Sequence, residues 1–275
     1  PLVASLVPMP RIALVMIARN ESRCIERCLR SARPWVDEMH VLDTGSTDDT
    51  MAIARREGAE VAQFAWQDDF SAARNAALAL TQAEWRLVLD ADEWIVGDGS
   101  ALREWCRRTA PVLGLVQVTS LAQDARGRAQ QAPSWMPWLL PRGVGYAGRV
   151  YEQPVSALAC ERVSLNVLHD GYLPTQRQAK QGRNLRLLQA SLAESPDDAY
   201  LHYQMGKELG SGDRPADAAA PLLTALKSCQ PTAAWRHDLV LRTLYALKCA
   251  GRHAEAVQLA EAEMPHWAHS PDFYF

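Results

Sequence analysis

The sequence predicts an α/β fold in which a mostly parallel central sheet is followed by an α-helical region. Short apolar runs alternate with amphipathic segments between residues 11 and 92, and polar residues follow each run directly. Strands and helices that alternate in this way imply right-handed crossovers and a Rossmann-like domain. Beyond Lys180, Ala and Leu recur at helical spacing. We therefore predict two domains, over residues 1–175 and 176–275.

Four strands and three helices are expected to alternate in the first domain. Ile12 to Ile17 is a continuous apolar run of strand length. Asn20 is the expected N-cap of the first helix, which Pro34 ends, and Gly58 closes the second helix. The remaining elements are strands at Met39–Leu42, Val61–Phe64 and Trp85–Leu89, and a third helix at Phe70–Leu80.

The pattern becomes less regular between residues 111 and 172. Val112–Thr119 is a predicted strand, and Ala122–Gln131 is a predicted polar loop. The segment that follows, from Trp135 to Glu152, is rich in turn-forming and aromatic residues, so no regular element is assigned to it.

The second domain contains a short internal repeat. Arg-Pro-Ala-Asp-Ala at Arg214 matches Arg-His-Ala-Glu-Ala at Arg252, with an offset of 38 residues, and each copy follows an amphipathic helix. This pattern resembles tetratricopeptide (TPR) helix pairs, whose typical period is about 34 residues. The repeat therefore predicts an α-helical, TPR-like region.

Composition excludes several classes of partner. The chain has 275 residues, and 29 basic residues nearly balance 32 acidic ones, for a net charge of −3. Binding to nucleic acid or to an anionic membrane usually needs a basic excess, so neither is expected. Residues 1–10 lack the pattern of a signal peptide, and no apolar stretch is long enough to span a membrane. Six scattered cysteines indicate reduced thiols and a cytoplasmic protein.

Polar residues concentrate where the predicted strands end, at 18–21, 43–46, 68–69 and 90–93. Ligands of such sheets bind beyond the carboxyl ends of the strands, so a site is expected there. In an extended segment Asp90 and Asp92 would point the same way, and both carboxylates could meet one Mg²⁺ or Mn²⁺ ion. The alternative is an acidic turn after a strand.

A second polar group lies on the third helix. Arg74 and Asn75 follow an expected N-cap at Ser71, and an arginine there could offer a forked contact to phosphate. The alternative is an arginine on the helix surface.

Four motifs, in order and spacing, resemble the family 2 glycosyltransferases. They are Ile-Ala-Arg-Asn-Glu from Ile17, Val-Leu-Asp-Thr-Gly-Ser-Thr-Asp-Asp-Thr from Val41, Asp-Asp-Phe-Ser-Ala-Ala-Arg-Asn from Asp68, and Leu-Asp-Ala-Asp-Glu from Leu89. With helical repeats downstream, the third motif resembles the bacterial branch that carries a TPR tail. The resemblance covers residues 11–172 well and the tail loosely.

The resemblance implies a GT-A fold and inverting, metal-dependent transfer of a sugar from a nucleotide-diphosphate sugar, a UDP-sugar, with Mn²⁺ or Mg²⁺. By position, it places Ala18, Arg19 and Glu21 along the nucleoside, Asp43 on the base, Arg74 near the base or diphosphate, Asp90 at the sugar or ribose, Asp92 and His169 at the metal, and Glu152 as the catalytic base. Without the resemblance, His169 reads as a structural histidine, and Glu152 as a loop carboxylate paired with Arg149.

The acceptor side departs from the family pattern. Tyr151 stands where a histidine commonly precedes the catalytic glutamate, and the segment from Trp138 lacks the basic residues often found there. The acceptor is therefore left open between a peptide or protein side chain and a glycan. Aromatic faces that could support a sugar ring are expected from Trp135, Trp138 and Tyr146, although core packing explains some of these residues.

The helical tail is expected either to present a groove to a polypeptide or to mediate a homodimer. Two other functions compete with sugar transfer. One is nucleotidyl transfer, which usually needs a phosphate loop that residues 18–21 do not provide. The other is a non-catalytic helical-repeat interaction protein with a decayed transferase domain.

Overall fold

A computed structural model describes residues 9–108, 110–123, 128–171, 174–211 and 214–274. The chain divides into two compact units, Pro1–Gln178 and Ala179–Phe275. The domain assignment made from the sequence, 1–175 and 176–275, stays a prediction. Among the described residues, no helix is both long enough and apolar enough to cross a bilayer.

The first unit contains an eight-stranded mixed sheet and a small two-stranded sheet. The ten strands are β1 Ile12–Ala18, β2 Glu38–Asp43, β3 Glu60–Gln63, β4 Trp85–Val88, β5 Glu93–Val96, β6 Leu113–Gln123, β7 Ala129–Pro141, β8 Gly145–Ala147, β9 Gln153–Val155 and β10 Cys160–His169. The large sheet has the order β3-β2-β1-β4-β7-β6-β10-β5, and β8 pairs with β9. Four of the seven pairings in the large sheet are parallel, which confirms the predicted fold class.

Burial explains why β1 is apolar along its whole length. Ile12, Leu14 and Met16 lie in one hydrophobic cluster, and Ala13 and Val15 lie in another. A strand with a core on each face needs no polar side, and this is why its sequence is a continuous run.

Four helices belong wholly to the first unit: α1 Ile25–Ala32, α2 Thr50–Arg56, α3 Phe70–Leu78 and α4 Ser100–Trp105. Two predicted N-caps are wrong. Asn20 lies in the left-handed region at φ 57°, and α1 begins only at Ile25. The N-cap of α3 is Asp69, whose Oδ1 accepts hydrogen bonds from Ala72 N and Ser71 Oγ.

The antiparallel half of the sheet was largely missed. The predicted polar loop at 122–131 overlaps β6, which continues to Gln123, and β7, which starts at Ala129; residues 124–127 lie outside the described residues. The segment rich in turn-forming residues forms most of β7. The prolines of β7 argue against a strand in the sequence, because proline has no N–H to donate to a strand ladder.

The second unit is helical. α5 Pro174–Glu194 leads into it, followed by α6 Ala199–Gly210, α7 Ala219–Ser228, α8 Arg236–Cys249 and α9 His253–Trp267, with short 3₁₀ turns at Pro215–Ala218 and Pro271–Tyr274. The two copies of the repeat lie at equivalent places, because each leads into the second helix of a pair. Gly206 of α6 packs so closely on Leu222 of α7 that a Cβ at this position would lie 2.3 Å from Leu222 Cδ2.

Candidate active site

The chain reverses its direction across the sheet between two neighbouring strands, β1 and β4. It moves outward from β1 through β2 to β3 and then returns to β4 on the other side of β1. Crevices at such reversals are the usual ligand sites of open α/β sheets. Of the predicted polar residues, 18–21 and 90–93 lie at the ends of these two strands, β1 and β4, and 43–46 at the end of β2, whereas 68–69 directly precede α3.

Hydrogen bonds join the loops after β1 and β2. Asn20 N donates to Ser46 Oγ (2.9 Å), and Thr47 N donates to Asn20 Oδ1 (2.8 Å). Thr44 N donates to the carbonyl of Ala18 (2.9 Å), and Glu21 N donates to Thr50 Oγ1. The left-handed backbone of Asn20 therefore places its side chain to bridge the two loops.

The residues predicted to lie along the nucleoside have different surroundings. Ala18 is buried at the end of β1, and Arg19 is exposed, with no hydrogen bond or ion pair to another described residue. Glu21 is half-buried, and its Oε2 accepts a hydrogen bond from the Cys24 thiol at 3.2 Å. Of the three, Arg19 presents the most accessible charge.

Asp43 is 1% exposed, and only one of its two carboxylate oxygens accepts hydrogen bonds from described residues. Its Oδ2 accepts from Gly45 N (3.0 Å) and Ser46 N (2.9 Å). Its Oδ1 has no hydrogen-bond partner among the described residues. Buried polar atoms are nearly always paired in folded proteins, so an orphaned carboxylate oxygen beside a strand end indicates a place for a ligand donor.

Arg74 joins two predicted site carboxylates that are far apart in sequence. The side chain is 6% exposed; Nη2 donates to Asp90 Oδ1 (2.9 Å) and Nε donates to Glu152 Oε1 (2.5 Å). Burial opposes the charge of Arg74, but Asp90 and Glu152 outweigh that effect and raise its pKa well above the ordinary value. The fold thus brings Glu152 within the span of one guanidinium group of Asp90.

Asp92 contacts His169 at the end of β10. Asp92 Oδ2 lies 3.4 Å from His169 Nε2, and His169 Nδ1 lies 3.3 Å from Ser120 Oγ. Burial disfavours a charged imidazole, but the hydrogen bond and negative charge of Asp92 outweigh burial and raise the pKa of His169. The predicted pair of metal ligands is therefore adjacent, although 77 positions separate them in sequence.

The segment around Asp90 and Asp92 is a turn rather than extended. β4 ends at Val88, and Glu93 N donates to the carbonyl of Asp90. The alternation expected of an extended segment does not apply there, and the two carboxylates contact different partners, Arg74 and His169.

A divalent metal fits the chemistry of the Asp92–His169 pair. Carboxylate oxygen and imidazole nitrogen both suit Mn²⁺, and the contact of Nδ1 with Ser120 orients the ring. Among the described residues, no group of three or more His, Cys, Asp and Glu side chains is arranged to hold a metal ion. A pair of ligands of this kind suits Mg²⁺, which usually keeps several waters and takes other ligands from substrate phosphates.

Glu93 is a site residue that the sequence analysis did not assign. It is buried; its carboxylate accepts from Trp138 Nε1 at 3.0 Å and from Asp90 N at 2.9 Å. Burial and the nearby charge of Asp90 raise the pKa of Glu93 to about 8. The motif Asp-Ala-Asp-Glu contained it, but sequence alone gives no sign that an acidic residue after a strand is buried.

Asp170 is a second unassigned residue. Its carboxylate contacts Arg27 (2.6 Å) and Arg23 (3.0 Å) of the segment around α1, and its backbone N–H donates to the carbonyl of Asp92. Arg23 lies in the turn before α1 and Arg27 lies in α1, so nothing in the local sequence indicates that they share one carboxylate. Asp170 therefore connects the turn that contains Asp92 and the segment around α1 to the residue that directly follows His169.

Only one of the three aromatic side chains expected at the acceptor is accessible. Trp138 and Tyr146 are buried, whereas Trp135 is 37% exposed and has the Arg162 guanidinium 4.6 Å from its ring. The Tyr146 hydroxyl has no hydrogen-bond partner among the described residues. The buried rings flank Arg74, at 5.7 Å for Trp138 and 5.5 Å for Tyr146, so they belong to the wall of the site.

Comparisons with known proteins point to one family. The model of the family described as Glycosyl transferase family 2 matches residues 13–150. A TPR repeat-containing protein of Synechococcus elongatus is 32% identical over 266 residues, covering 84% of this chain and 60% of that protein. The SPbeta prophage-derived glycosyltransferase SunS of Bacillus subtilis is 29% identical over 218 residues, covering 76% of this chain and 51% of SunS. The chain thus spans between half and two thirds of the length of these relatives.

A solved structure shows a partial likeness. Glucosyl-3-phosphoglycerate synthase from Mycobacterium tuberculosis, in complex with Mn²⁺, uridine diphosphate and glucosyl-3-phosphoglycerate, is 26% identical, with a TM-score of 0.33. The likeness covers 42% of this chain and 46% of that enzyme.

Proposed function

The chain belongs to glycosyl transferase family 2, and from that premise we propose that it transfers a sugar from a nucleotide-diphosphate sugar, a UDP-sugar, to an acceptor with inversion at the anomeric carbon. The observation that carries the proposal is the shared contact of Arg74 with Asp90 and Glu152. It puts the candidate base beside the acidic turn that follows β4, where the donor sugar is expected.

In the proposed mechanism, Glu152 is the general base. Its side chain is 10% exposed. Arg74 holds Oε1, and the other carboxylate oxygen can face an acceptor hydroxyl or other nucleophile. The acceptor nucleophile forms its bond to the anomeric carbon on the face opposite the nucleoside diphosphate, its proton passes to Glu152, and the bond from that carbon to the diphosphate oxygen breaks. The nucleoside diphosphate leaves, and displacement from the opposite face inverts the centre in one step. Base assistance of this kind contributes about 10²–10⁴-fold to the rate.

The other side chains have binding roles in this proposal. The orphaned Oδ1 of Asp43 would accept a hydrogen bond from the nucleotide base, and Ala18, Arg19 and Glu21 would line the nucleoside. Asp90 would bind the sugar or ribose. Asp92 and His169 would hold Mn²⁺ or Mg²⁺, which supplies electrostatic stabilisation of the departing diphosphate when it is bound.

The acceptor and the setting are also proposals. A polypeptide or a glycan fits the reaction, and the helical unit would bind a polypeptide or form a homodimer. All six cysteines are free thiols, which supports action in the reducing cytoplasm.

Glu152→Gln tests the function, because the amide has the shape of the carboxylate but cannot take a proton. We would measure release of nucleoside diphosphate from UDP-, GDP- and dTDP-sugars with Mn²⁺. We expect release from a UDP-sugar, with a loss of about 10²–10⁴-fold in Glu152→Gln. Glu161→Gln is the matched control, because Glu161 is a half-exposed carboxylate paired with Arg108.

Two results would contradict the proposal. Equal release by wild type and Glu152→Gln would remove the base role of this residue. No release from any sugar donor by a folded wild-type protein would favour the non-catalytic helical-repeat protein.

A further inference from the structure

We propose that Asn75 is a positioning residue for Glu152. Its side-chain amide fixes the loop over residues 143–152, here called the base loop, so that the Glu152 carboxylate meets Arg74. The inference rests on the proposed function, in which Glu152 is the general base.

The contact is a pair of hydrogen bonds between one side chain and one backbone residue. Asn75 Nδ2 donates to the carbonyl of Tyr146 (2.9 Å), and Tyr146 N donates to Asn75 Oδ1 (2.8 Å). A carboxamide carries a donor and an acceptor side by side, which this pairing requires. An aliphatic side chain offers neither group, and an ionised carboxylate offers only the acceptor.

Two further contacts from α3 hold the base loop. Phe70 N, at the start of the helix, donates to the carbonyl of Arg149 at 2.9 Å. Arg74 Nε donates to Glu152 at 2.5 Å. Three positions on one rigid helix therefore hold three points along the loop, and the pair at Asn75 is the one furthest from Glu152 in sequence.

The backbone of the base loop has positive φ at three of its positions. Gly143 and Gly148 have φ of 94° and 104°, and Tyr151, next to Glu152, has φ of 55°. A non-glycine residue in that region is strained because its Cβ approaches the following carbonyl oxygen, so surrounding contacts must maintain the conformation. The only strand pairing of the loop among the described residues is the three-residue ladder of β8 with β9.

Gly145 of the base loop also supports a contact between this loop and the Asn75 side chain. A Cβ at this position would lie 2.9 Å from Asn75 Oδ1 and 3.6 Å from Asn75 Cγ, and no other residue comes closer than these atoms. Gly145 is not among the glycines with positive φ, so alanine suits its backbone. The absence of a side chain at 145 therefore leaves room for the Asn75 amide.

Asn75 itself is exposed on α3, so its replacement should leave the core of the unit intact. Its effect should instead appear in the placement of Glu152. Misplacement of a reacting group by about 1 Å can reduce the rate about 10²-fold. This separates a positioning role from a role in folding.

The first experiment measures the loop directly, without a ligand. Hydrogen–deuterium exchange of the full chain would compare wild type, Asn75→Ala and Asn75→Asp. We expect faster exchange in peptides covering residues 143–152 of both variants, with unchanged exchange in β1 and β4. Asn166→Ala, at an exposed asparagine of β10, is the matched control.

The second experiment measures the consequence for catalysis. With UDP-glucose, Mn²⁺ and water as the acceptor, we expect kcat for UDP release to fall about 10–10²-fold in Asn75→Ala, with KM for UDP-glucose changed less than about 3-fold. Gly145→Ala should lower kcat in the wild-type background. In the Asn75→Ala background it should have little further effect, because both changes act on one contact.

The outcomes separate this inference from the proposed function. Unchanged loop exchange in Asn75→Ala, or unchanged kcat in an enzyme that Glu152→Gln inactivates, would overturn the positioning role. Faster exchange in β1 as well as in the base loop, together with a lower thermal stability, would also overturn the positioning role in favour of a structural role. Absence of nucleoside diphosphate release by wild type from every sugar donor tested would contradict the proposed function, and the exchange measurement would still decide whether Asn75 holds the base loop.

Discussion

Each unit contains a mostly buried arginine that is paired with a carboxylate, and the two arginines differ in what surrounds them. In the helical unit, Arg236 Nη2 donates to Glu263 Oε1, and the other oxygen of Glu263 accepts from Trp267 Nε1 at 3.0 Å. This group is closed, because both carboxylate oxygens have protein partners. It ties the start of α8 to the end of α9.

Arg74 is more deeply buried than Arg236, but its group is open, because not all of its polar atoms have protein partners among the described residues. Two carboxylates from two different loops share its charge, and Nη1 has no hydrogen-bond partner among the described residues. The orphaned Asp43 Oδ1 and Tyr146 hydroxyl belong to the same unit. A closed group serves packing, whereas buried polar atoms left without partners next to strand ends indicate a binding or catalytic role.

Arg74→Met should have the largest effect, because it leaves two carboxylates without their shared cation. Removing one partner of a buried ion pair destabilises by about 3–5 kcal/mol. We expect that loss in thermal unfolding, together with a loss of transfer of about 10²-fold or more because Glu152 is no longer held. Unfolding and nucleoside diphosphate release would be measured on the same preparation.

Arg74→Lys makes this prediction sharper. Lysine keeps the charge but not the fork that spans Asp90 and Glu152, so we expect it to recover more stability than activity. Full activity in Arg74→Lys or Arg74→Met would show that the Asp90–Arg74–Glu152 group is only structural.

Arg236→Met should lower stability without lowering activity, and its effect on stability should be smaller than that of Arg74→Met. We expect a loss of about 2–3 kcal/mol from the helical unit, below the value for a fully buried pair because Arg236 is partly exposed. UDP binding should not change. Amide exchange would locate the loss in α8 and α9, and a comparable loss of UDP binding would break the contrast between the two arginines.

Glu208→Gln should have the smallest effect, and a pH-dependent one. Burial raises the pKa of Glu208 to about 7, above that of an unfolded chain. Below about pH 4.5 the carboxyl is neutral in both states. Stability is lost as pH rises from about 4.5 to about 7, because only the unfolded chain ionises freely there, and the loss stays constant above about 7. Glutamine removes this loss, so we expect it to stabilise by about 1–2 kcal/mol at pH 8, after allowance for solvent screening, and not at pH 4.

Denaturant unfolding of Glu208→Gln and wild type at the two pH values would check this prediction. Glutamine can retain the acceptor for Asn184 Nδ2, which bonds Glu208 Oε1 at 3.0 Å. Equal stability of the two proteins at pH 8 would mean that the carboxyl is not destabilised by its surroundings.

Strands β1 to β4 and most of β6 could be predicted from the sequence, whereas β5, β7 and β10 were not assigned. β1 to β4 are short, have an apolar centre and are separated by helices, so local pattern defines them. β10 did carry a local signal, since Val163, Leu165 and Val167 are buried and alternate with exposed residues. β7 did not, because Pro133 and Pro137 lie within it.

The candidate site shows the same division. The polar residues after β1, β2 and β4 were predicted from position alone. The contact between Arg74 and Glu152 joins residues 78 positions apart, and nothing local indicates it. The turn at Asp90–Glu93 and the hydrogen bonds of Asn75 likewise depend on segments that only the fold brings together.

Calorimetric titration of UDP with and without Mn²⁺ tests the central claim, that the ends of β1, β2 and β4 form a metal-assisted donor site. Wild type should bind UDP tightly only with the metal, and Asp92→Ala should lose that binding while remaining folded. Asp197→Ala, at an exposed aspartate of the helical unit, should bind as wild type does. Equal UDP binding by wild type and Asp92→Ala, or no binding of UDP, GDP or dTDP by folded wild type, would contradict the claim.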